Sequence, residues 1–357
     1  MSFSTPKYSR SQVAKAGKAL ISTESSPNEL LDAYEVLVNW RAAHSYPINT
    51  FQATLRNRLK NIEKKALVAQ RLKRLPSIVG KLRRFPSMDL ARMQDIGGLR
   101  AVMSSVQKVR EIEILYKNEN LRHALVSYKD YISSPKEDGY RGVHLVFKYK
   151  NPRAPEYDNL LLELQLRTKL QHAWATAVET MGTFLGQALK SGAGDQHWRE
   201  FFSMAAAAFA QVEGTEPVPG FEDMARQRLF ENLSRLESDL QVIRRLQGFS
   251  VAANHIHKEG VGGSYHLVIL DSEDRSVTIR SYSFEALYQA NKDYAEVEAR
   301  VQSGEKLEAV LVSAGKLSQL KRAYPNYFLD TRDFVIEIRK VFSEARTANH
   351  SPQVQRP

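Results

Sequence analysis

Two acidic residues have the residue type and the surroundings that phosphate chemistry requires. Asp95 opens the stretch DIGGLR, and Glu163 lies in the stretch ELQLRT. A carboxylate beside phosphate-binding cations suits Mg²⁺, which prefers oxygen ligands together with substrate phosphates. A second carboxylate can take the proton of an attacking hydroxyl. Taken alone, the same acids are equally well explained by structural salt bridges with Arg100 or Arg167.

Positive charge is concentrated just before the first of these acids. The window 56–84 contains eleven Lys or Arg and one acid, Glu63, so it carries +10 of the chain's net +11. A solvated helix face is the plainer explanation of such a window. Cations next to a helix N-terminus also form a phosphate site, and charge confined to one region favours a polyanion. The candidate phosphate ligands are Arg71, Lys73, Ser77, Lys81 and Arg83 or Arg84.

A third group lies in the stretch KDYISSPKEDGYRGVH, residues 129–144. Gly139 and Gly142 flank Tyr140 closely enough to allow a turn that presents its ring. An aromatic ring can stack on a nucleobase, which contributes about 1–3 kcal/mol in nucleic-acid complexes. A tyrosine packed over a hairpin is the alternative. Nearby Lys136 and His144 add a cation and a titratable ring to this stretch.

Apolar spacing predicts the elements that carry these residues. Helical spacing runs over 27–45 and 50–74, and alternation indicates strands at 95–103 and 143–150. Another strand is expected at 159–168, where leucines alternate with polar residues, so that one face carries the polar set. That polar set is Glu163, Gln165 and Arg167. The apolar stripe expected on the first helix is Leu30, Leu31, Tyr34, Leu37 and Val38.

The pattern of residues in the second half of the chain indicates a separate, smaller α+β domain. The stretch EGTEPVPG at 213–220 is a linker signal because of its prolines and glycines. Helices are expected at 169–189, about 221–246, 284–302, 316–328 and 331–342, with a hairpin at 264–283 and a strand at 308–314. We therefore predict domains at 1–212 and 221–345, followed by a frayed tail at 346–357.

Composition sets broad limits on the protein class. The chain has 357 residues, 43% hydrophobic and 25% charged, which is ordinary for a globular protein. It contains no cysteine, so disulfides and thiolate metal sites are excluded. No apolar run approaches the ~20 residues of a membrane span, and the N-terminus has no apolar signal segment. We expect a cytoplasmic enzyme.

The motifs at about 55–190 resemble, in order and spacing, the RelA/SpoT synthetase domain, whose members transfer pyrophosphate from ATP to a ribose 3′-hydroxyl. The resemblance implies a mixed, nucleotidyltransferase-like sheet wrapped by helices. It implies ATP binding by Arg71, Lys73, Ser77 and Lys81, Mg²⁺ binding at Asp95 and Glu163, and catalysis by the same two acids, with Glu163 as the catalytic carboxylate. It also implies acceptor binding by Lys136, Tyr140, His144, Gln165 and Ala175.

Thr180 departs from the pattern, because nucleotide synthetases of this family often have a histidine there. The hydrolase domain's His-Asp pair does not occur in the sequence, so the resemblance indicates synthesis alone.

The order of domains and the stretch AYPNYF at 323–328 resemble CapRel, a fused toxin–antitoxin family. In that family the C-terminal domain obstructs the ATP site through tyrosines, here Tyr324 and Tyr327, until a phage capsid protein binds. The toxin then pyrophosphorylates tRNA. Aromatic residues three apart are more often part of a core, which is the alternative for these two.

Two acceptors therefore remain open. The first is the 3′-terminal adenosine of tRNA, in a self-inhibited defence toxin. The second is GDP or GTP, in an alarmone synthetase with a regulatory second domain. A catalytically inactive nucleotide sensor is a third possibility, against which the intact Asp95 and Glu163 argue.

Overall fold

The computed structural model describes residues 3–73, 75–118, 121–184, 196–258, 264–271, 276–303, 305, 307–313 and 331–349. The chain divides into two compact units. The first comprises residues 1–132 and 141–169, and the second comprises residues 133–140 and 170–357. The functional domains expected at 1–212 and 221–345 follow a different boundary and stay a prediction.

The first unit begins with helices whose starts are visible in the sequence. Ser9 and Ser26 each cap a helix together with the Gln or Glu three residues later, which satisfies free amides of the first turn. The elements of this unit are α1 (Arg10–Ala19), α2 (Pro27–Ala43), α3 (Ser45–Ile62), β1 (Leu67–Leu72), α4 (Leu75–Arg84), β2 (Gly97–Met103), α5 (Val106–Asn118), β3 (Ala124–Asp130), β4 (Val143–Lys148) and β5 (Leu161–Thr168).

These strands form one five-stranded sheet in the order β1-β2-β5-β4-β3. The β2–β5 pair is parallel, and the other neighbouring pairs are antiparallel. The mixed sheet and its helices confirm the α+β fold class. The strands expected at 95–103, 143–150 and 159–168 are confirmed as β2, β4 and β5.

The alternation along β5 separates a core face from a polar face. Leu162, Leu164 and Leu166 are at most 1% exposed and belong to the main hydrophobic core of this unit. Glu163 and Gln165 are half-buried on the opposite face, as alternating strand geometry requires. The sheet therefore carries polar side chains on a rigid support.

The predicted helix at 50–74 was wrong beyond residue 62. Helix α3 ends at Ile62, and its C-cap Glu63 has extended backbone angles. The next apolar residues form β1, whose residues pair with β2 from Leu67↔Val102 to Leu72↔Gly97. The helical spacing did not decide the structure here, because the backbone groups of these six edge-strand residues form hydrogen bonds with β2.

The apolar stripe expected on α2 is also not its buried face. Leu37 is fully buried, but Leu31 is 69% exposed and the other stripe members are also exposed. The buried positions are Ala33, Leu37, Trp40 and Ala43. This face contains two alanines, which allow close packing against neighbouring helices. The prediction was wrong because it was based on the larger apolar side chains.

The second unit contains helices and a smaller sheet. Its elements are α6 (Lys169–Phe184), α7 (Gln196–Glu213), α8 (Arg226–Leu240), α9 (Val242–Lys258), β6 (Tyr265–Asp271), β7 (Ser276–Tyr282), α10 (Leu287–Gln302), β8 (Leu307–Ser313) and α11 (Arg332–Asn349). The sheet order is β7-β6-β8, and both pairs are antiparallel. The predicted hairpin strands, the helix of 284–302 and the strand of 308–314 are thereby confirmed within a few residues.

Two predictions in this unit need correction. The helix expected at 221–246 is two helices, because Gln241 adopts a left-handed conformation with φ of 51°. Helix α11 continues to Asn349 instead of ending near residue 342, and Val341, Phe342 and Ala345 are buried along it. The helix predicted at 316–328, which includes Tyr324 and Tyr327, lies outside the described residues.

Helix α7 is held by the C-terminal part of the same unit. Phe334 of α11 is fully buried, with its ring centroid 5.7 Å from that of Phe209 and 6.0 Å from that of Phe202. Arg226 of α8 donates to both carboxylate oxygens of Glu344, at 2.6 and 2.8 Å. Removing the chain after α7 would therefore uncover the apolar face of that helix.

A membrane crossing requires a helix that is both long and apolar throughout. None of the helices in the described ranges has both properties.

Candidate active site

The carboxylate of Asp95 forms ion pairs with two lysines at one end of the large sheet. Lys73 follows β1 and Asp95 shortly precedes β2, and the antiparallel pairing of these strands places them at the same end. Lys73 Nζ lies 2.8 Å from Asp95 Oδ2, and Lys81 Nζ lies 3.1 Å from Asp95 Oδ1. The Asp95 side chain remains 21% exposed. The salt bridges considered with Arg100 or Arg167 are replaced here by pairs with two lysines.

Helix α4 supplies the second lysine of this cluster. Ser77 lies in its first turn and Lys81 lies four residues later, so both side chains share one helix face. Arg41 donates through Nε to the backbone carbonyl of Lys73 at 2.7 Å, which fixes the turn between β1 and α4. This contact positions the start of α4, whereas the basic residues of the helix, Lys81, Arg83 and Arg84, lie in its last turn and not near its N-terminus as predicted.

Glu163 is held through both oxygens of its carboxylate. His144 Nδ1 lies 2.8 Å from Oε1, and Gln165 Nε2 donates to Oε2 at 2.8 Å. Burial alone would raise the pKa of this carboxyl. The hydrogen bond and charge of His144, the Gln165 amide and the Arg71 guanidinium outweigh burial and lower the pKa to about 2. The Tyr131 ring packs edge-on against His144, with centroids 5.3 Å apart.

Strand register explains how Arg71 acts on Glu163 from two strands away. Arg71 on β1 pairs with Gly98 on β2, and Gly98 pairs with Glu163 on β5. An added Cβ at Gly98 would lie 4.0 Å from Arg71 Cγ. Because Gly98 has no side chain, no group from β2 separates the arginine from the carboxylate in this row.

The structure adds two arginines that the sequence analysis did not place in the site. Arg167 Nη2 donates to Gln165 Oε1 at 3.1 Å, and Arg100 Nη2 approaches the same oxygen at 3.5 Å. The strand alternation had placed Arg167 on the face of Glu163 and Gln165 but had given it no role in the site.

The loop that precedes β4 belongs to the second unit and forms a tight turn. Gly139 has φ of +88°, and the amide of Tyr140 donates to Asp138 Oδ1 at 2.9 Å. Tyr140 is only 9% exposed, and Lys136 Nζ lies 5.3 Å from the centre of its ring. The ring meets Trp174 edge-on at 6.5 Å. Stacking on a base would therefore require the ring to be uncovered.

Ala175 lies on α6 next to Trp174 and is 2% exposed. The Trp174 indole donates through Nε1 to the Phe202 carbonyl at 2.7 Å, which fixes this part of α6 against α7. Of the predicted site residues, the first unit thus contains those of the ATP segment, Asp95, His144, Glu163 and Gln165. The second unit contains Lys136, Tyr140 and Ala175.

Asp95 offers a carboxylate as a magnesium ligand, and an ion bound there would displace at least one lysine ammonium group from it. Both of its oxygens already face cationic groups. Magnesium commonly takes one or two carboxylates and completes its shell with water and substrate phosphates. Within the described residues, no cluster of three or more acidic or histidine side chains could hold a metal by itself. A site at Asp95 would therefore depend on substrate phosphates.

Residues 70–182 match the family model described as a region found in RelA / SpoT proteins. Among curated relatives, the GTP pyrophosphokinases YjbM and YwaC of Bacillus subtilis (strain 168) are 36% and 31% identical, each over 112 residues. Each alignment covers 30% of this chain and 52% of the relative, so the chain spans about half the length of these relatives.

Solved structures also show similarity over a larger part of the chain. The small alarmone synthetase 1 from Bacillus subtilis is 24% identical, with a TM-score of 0.40, over 55% of this chain and 95% of that chain. A GTP pyrophosphokinase family protein from Streptococcus pneumoniae is 22% identical, with a TM-score of 0.41, over 56% of this chain and 91% of that chain.

The family match supports a RelA/SpoT-type region in this chain. It begins in β1, ends in α6 and spans every predicted site residue except Tyr324 and Tyr327. The resemblance proposed from the sequence is thus supported at the level of this region. The more specific resemblance to CapRel stays a prediction.

Proposed function

We propose that this chain is an ATP-dependent pyrophosphokinase. The observation that carries the proposal is the arrangement around Asp95, a partly exposed carboxylate between the ammonium groups of Lys73 and Lys81. It lies in the region that matches RelA/SpoT proteins, in the turn just before β2, and the oriented carboxylate of Glu163 lies on the neighbouring strand β5. The curated relatives that match this region are named GTP pyrophosphokinases.

In the proposed reaction the 3′-hydroxyl oxygen of an acceptor bonds to the β-phosphorus of ATP. The bond from that phosphorus to the oxygen bridging the α- and β-phosphates breaks, and AMP leaves. Glu163 orients the hydroxyl and accepts its proton. A carboxylate with a pKa of about 2 is a weak base. Phosphoryl transfer usually has a loose transition state, so positioning by Glu163 matters more than its basicity.

The cations have a separate task in this mechanism. Arg71, Lys73 and Lys81 bind the triphosphate, and Ser77 contributes a hydroxyl and an amide at the first turn of α4. Asp95 is the residue that would hold Mg²⁺, with Glu163 as a second oxygen donor. When bound, Mg²⁺ neutralises negative charge that builds up on the phosphates.

The acceptor that we propose is the 3′-terminal adenosine of tRNA. Its support is the exposed basic surface at the end of α3, since nucleic acid binds where phosphates meet clustered cations. Exposed members of that surface are Arg56, Lys60, Lys64 and Lys65. The alternative acceptor is GDP or GTP, and the similarity to two GTP pyrophosphokinases favours it. For either acceptor, we propose Lys136, Tyr140, His144, Gln165 and Ala175 as acceptor-binding residues, as the resemblance to RelA/SpoT synthetases implies.

One experiment separates these acceptors. Full-length protein with γ-³²P-labelled ATP and Mg²⁺ would be incubated with deacylated tRNA or with GDP and GTP. Label on tRNA supports the toxin hypothesis, and label only on guanosine nucleotides makes the protein an alarmone synthetase. Absence of transfer to both, from every variant described below, would refute the pyrophosphokinase proposal. Replacing Lys60, Lys64 and Lys65 together by Gln should weaken tRNA labelling and reduce its salt dependence.

We also propose that the second half of the chain inhibits the enzyme and responds to a phage protein, as the resemblance to CapRel implies. Tyr324 and Tyr327 would obstruct ATP binding. The test uses the full chain with Tyr324→Ala and Tyr327→Ala, because truncation after residue 212 would uncover α7. Increased labelling and growth arrest on expression are expected. Unchanged labelling would refute inhibition by these tyrosines, and addition of candidate capsid proteins to the intact chain tests the trigger.

A further inference from the structure

Arg167 is a charged residue placed where a charge is costly unless it is well paired. It lies near the end of β5 and is only 3% exposed. A guanidinium removed from water requires several hydrogen-bond acceptors, so a buried arginine indicates a specific local arrangement. One of its acceptors is Gln165, two positions earlier on the same strand face, at 3.1 Å from Nη2 to Oε1.

The Gln165 amide has two chemically different ends, and its neighbours determine which end points where. Oε1 accepts from Arg167, and Nε2 donates to Glu163 Oε2 at 2.8 Å. A guanidinium has only donors, and an ionised carboxylate has only acceptors. Reversing the amide would bring its NH₂ group against the arginine and its oxygen against the carboxylate. Arg167 therefore stabilises one of the two amide orientations.

The other carboxylate oxygen is held by a residue of the neighbouring strand β4. His144 Nδ1 lies 2.8 Å from Oε1 of Glu163. With Gln165 on Oε2, the carboxylate is fixed by one contact from β4 and one from β5. Loss of the Gln165 contact would leave Glu163 free to rotate about its terminal bond around the remaining contact.

We propose that Arg167 is a positioning residue that acts on Glu163 through the Gln165 amide. This inference rests on the proposed function, because it concerns the residue that orients the acceptor hydroxyl. Arg167 fixes the direction of the amide, and the amide fixes the plane of the carboxylate. A misplacement of about 1 Å in a reacting group can lower a rate about a hundredfold.

A double-mutant cycle tests this route. Arg167→Met, Gln165→Met and the double variant would be compared for kcat and for the KM of ATP, with the better acceptor. We expect Arg167→Met to lower kcat about tenfold to a hundredfold, with little change in the KM of ATP. In the Gln165→Met background, the Arg167 substitution should change kcat less than about twofold, because the route is already broken. Equal effects in both backgrounds would overturn the proposal.

Two further variants separate positioning from general stability. Arg167→Lys retains a donor for Gln165 Oε1, so it should restore part of the lost kcat. Arg110→Met removes a comparable cation, whose ion pairs with Glu113 and Asp130 measure 2.6 and 2.8 Å and involve no proposed site residue. It should lower the unfolding temperature and leave kcat unchanged. If Arg167→Met lowered only the unfolding temperature, the arginine would be structural and the proposal would fail.

An activity-independent measurement distinguishes failure of this proposal from failure of the proposed function. The side-chain amide protons of Gln165, observed by ¹⁵N–¹H NMR, should exchange slowly in the wild-type chain and in Arg167→Lys. In Arg167→Met they should exchange quickly. Slow exchange in Arg167→Met would show that the amide keeps its place without the arginine, and would overturn the proposal whether or not the enzyme transfers pyrophosphate.

Discussion

His144 Nδ1 lies 2.8 Å from Glu163 Oε1, and this contact joins two neighbouring strands of the large sheet. The register pairs His144 with Gln165, so the imidazole reaches the carboxylate two positions earlier on β5. Because an ionised carboxylate only accepts, Nδ1 carries the hydrogen and donates it. In the neutral ring, Nε2 is then the acceptor. The pair therefore sets both the tautomer of the histidine and the orientation of the acid.

Replacing His144 by Phe should change how the enzyme responds to acid. Burial raises the pKa of Glu163, and His144 is the largest influence that lowers it to about 2. Without His144 the carboxyl should take up a proton at higher pH, so activity should be lost earlier on acidification. The measurement is kcat against pH in both proteins, together with ¹³C NMR titration of the Glu163 carboxyl. An unchanged acid limb and an unchanged titration would contradict this account of the pair.

Asp95→Asn should abolish most turnover while leaving the fold intact. The substitution removes the charge that pairs with Lys73 and Lys81 and weakens the proposed magnesium site. The side chain is partly exposed, so its ion pairs should contribute no more than about 1 kcal/mol each to stability. We expect a loss of at least about a hundredfold in kcat/KM, measured with urea unfolding as the stability readout.

The matched control for this change is Asp89→Asn. Asp89 accepts from the amide of Ala91 at 2.7 Å, and asparagine can make the same cap. Its turnover should match that of the wild-type chain. Comparable losses in both variants would argue against a specific role of Asp95.

The shared strand face of the candidate site was easier to predict from the sequence than the elements around it. Polar residues alternating with leucines on β5 predicted the shared face of Glu163, Gln165 and Arg167, because a strand has a fixed period of two. The contacts of Arg100 and Arg167 with Gln165 depend on rotamers and strand register, which spacing alone does not determine. Their roles were therefore missed.

The wrong predictions of secondary structure and of buried faces arose because spacing in the sequence does not show tertiary contacts. The strand β1 was predicted as helix because its stabilisation comes from pairing with β2, a contact distant in sequence. The buried face of α2 was missed because Ala33 and Ala43 pack there, whereas Leu31 is 69% exposed. Helix α5 and strand β3 were not predicted at all. Small residues in tight helix contacts give weak apolar signals in a sequence.

A buried histidine predicts a loss of stability at mildly acidic pH. His44 is 1% exposed, and its Nδ1 lies 2.8 Å from the Trp40 carbonyl. Burial lowers its pKa from 6.5 to about 4, while the hydrogen bond opposes this shift. Between these values the unfolded chain binds more protons than the folded chain. Stability contributed by neutral His44 is therefore full above about pH 6.5 and is lost as pH falls towards 4.

The measurable consequence is a decrease of about 3 kcal/mol in the free energy of unfolding across that range. Urea unfolding of the wild-type chain at several pH values between 7 and 4 gives the total slope. His44→Gln cannot titrate, so its unfolding free energy should depend less on pH, even though its stability at pH 7 is lower. Parallel curves for the two proteins would show that His44 contributes nothing to the acid sensitivity.

Gly139→Ala should disorder the proposed acceptor loop. Gly139 has φ of +88°, and an added Cβ would lie 2.5 Å from Ala206 Cβ and 3.3 Å from the Trp174 ring. The loop must shift away from α6 and α7, and Tyr140 and Lys136 must shift with it. We expect the KM for the acceptor to rise about tenfold or more and stability to fall by about 1–3 kcal/mol. The KM for ATP should change much less, because the proposed ATP ligands belong to β1 and α4.

Gly80→Ala is the matched control, since an added Cβ there meets no atom within 4 Å. Alanine favours the helix at that position, so this control should gain up to about 1 kcal/mol and keep its acceptor KM. An unchanged acceptor KM in Gly139→Ala would remove the loop from the acceptor site.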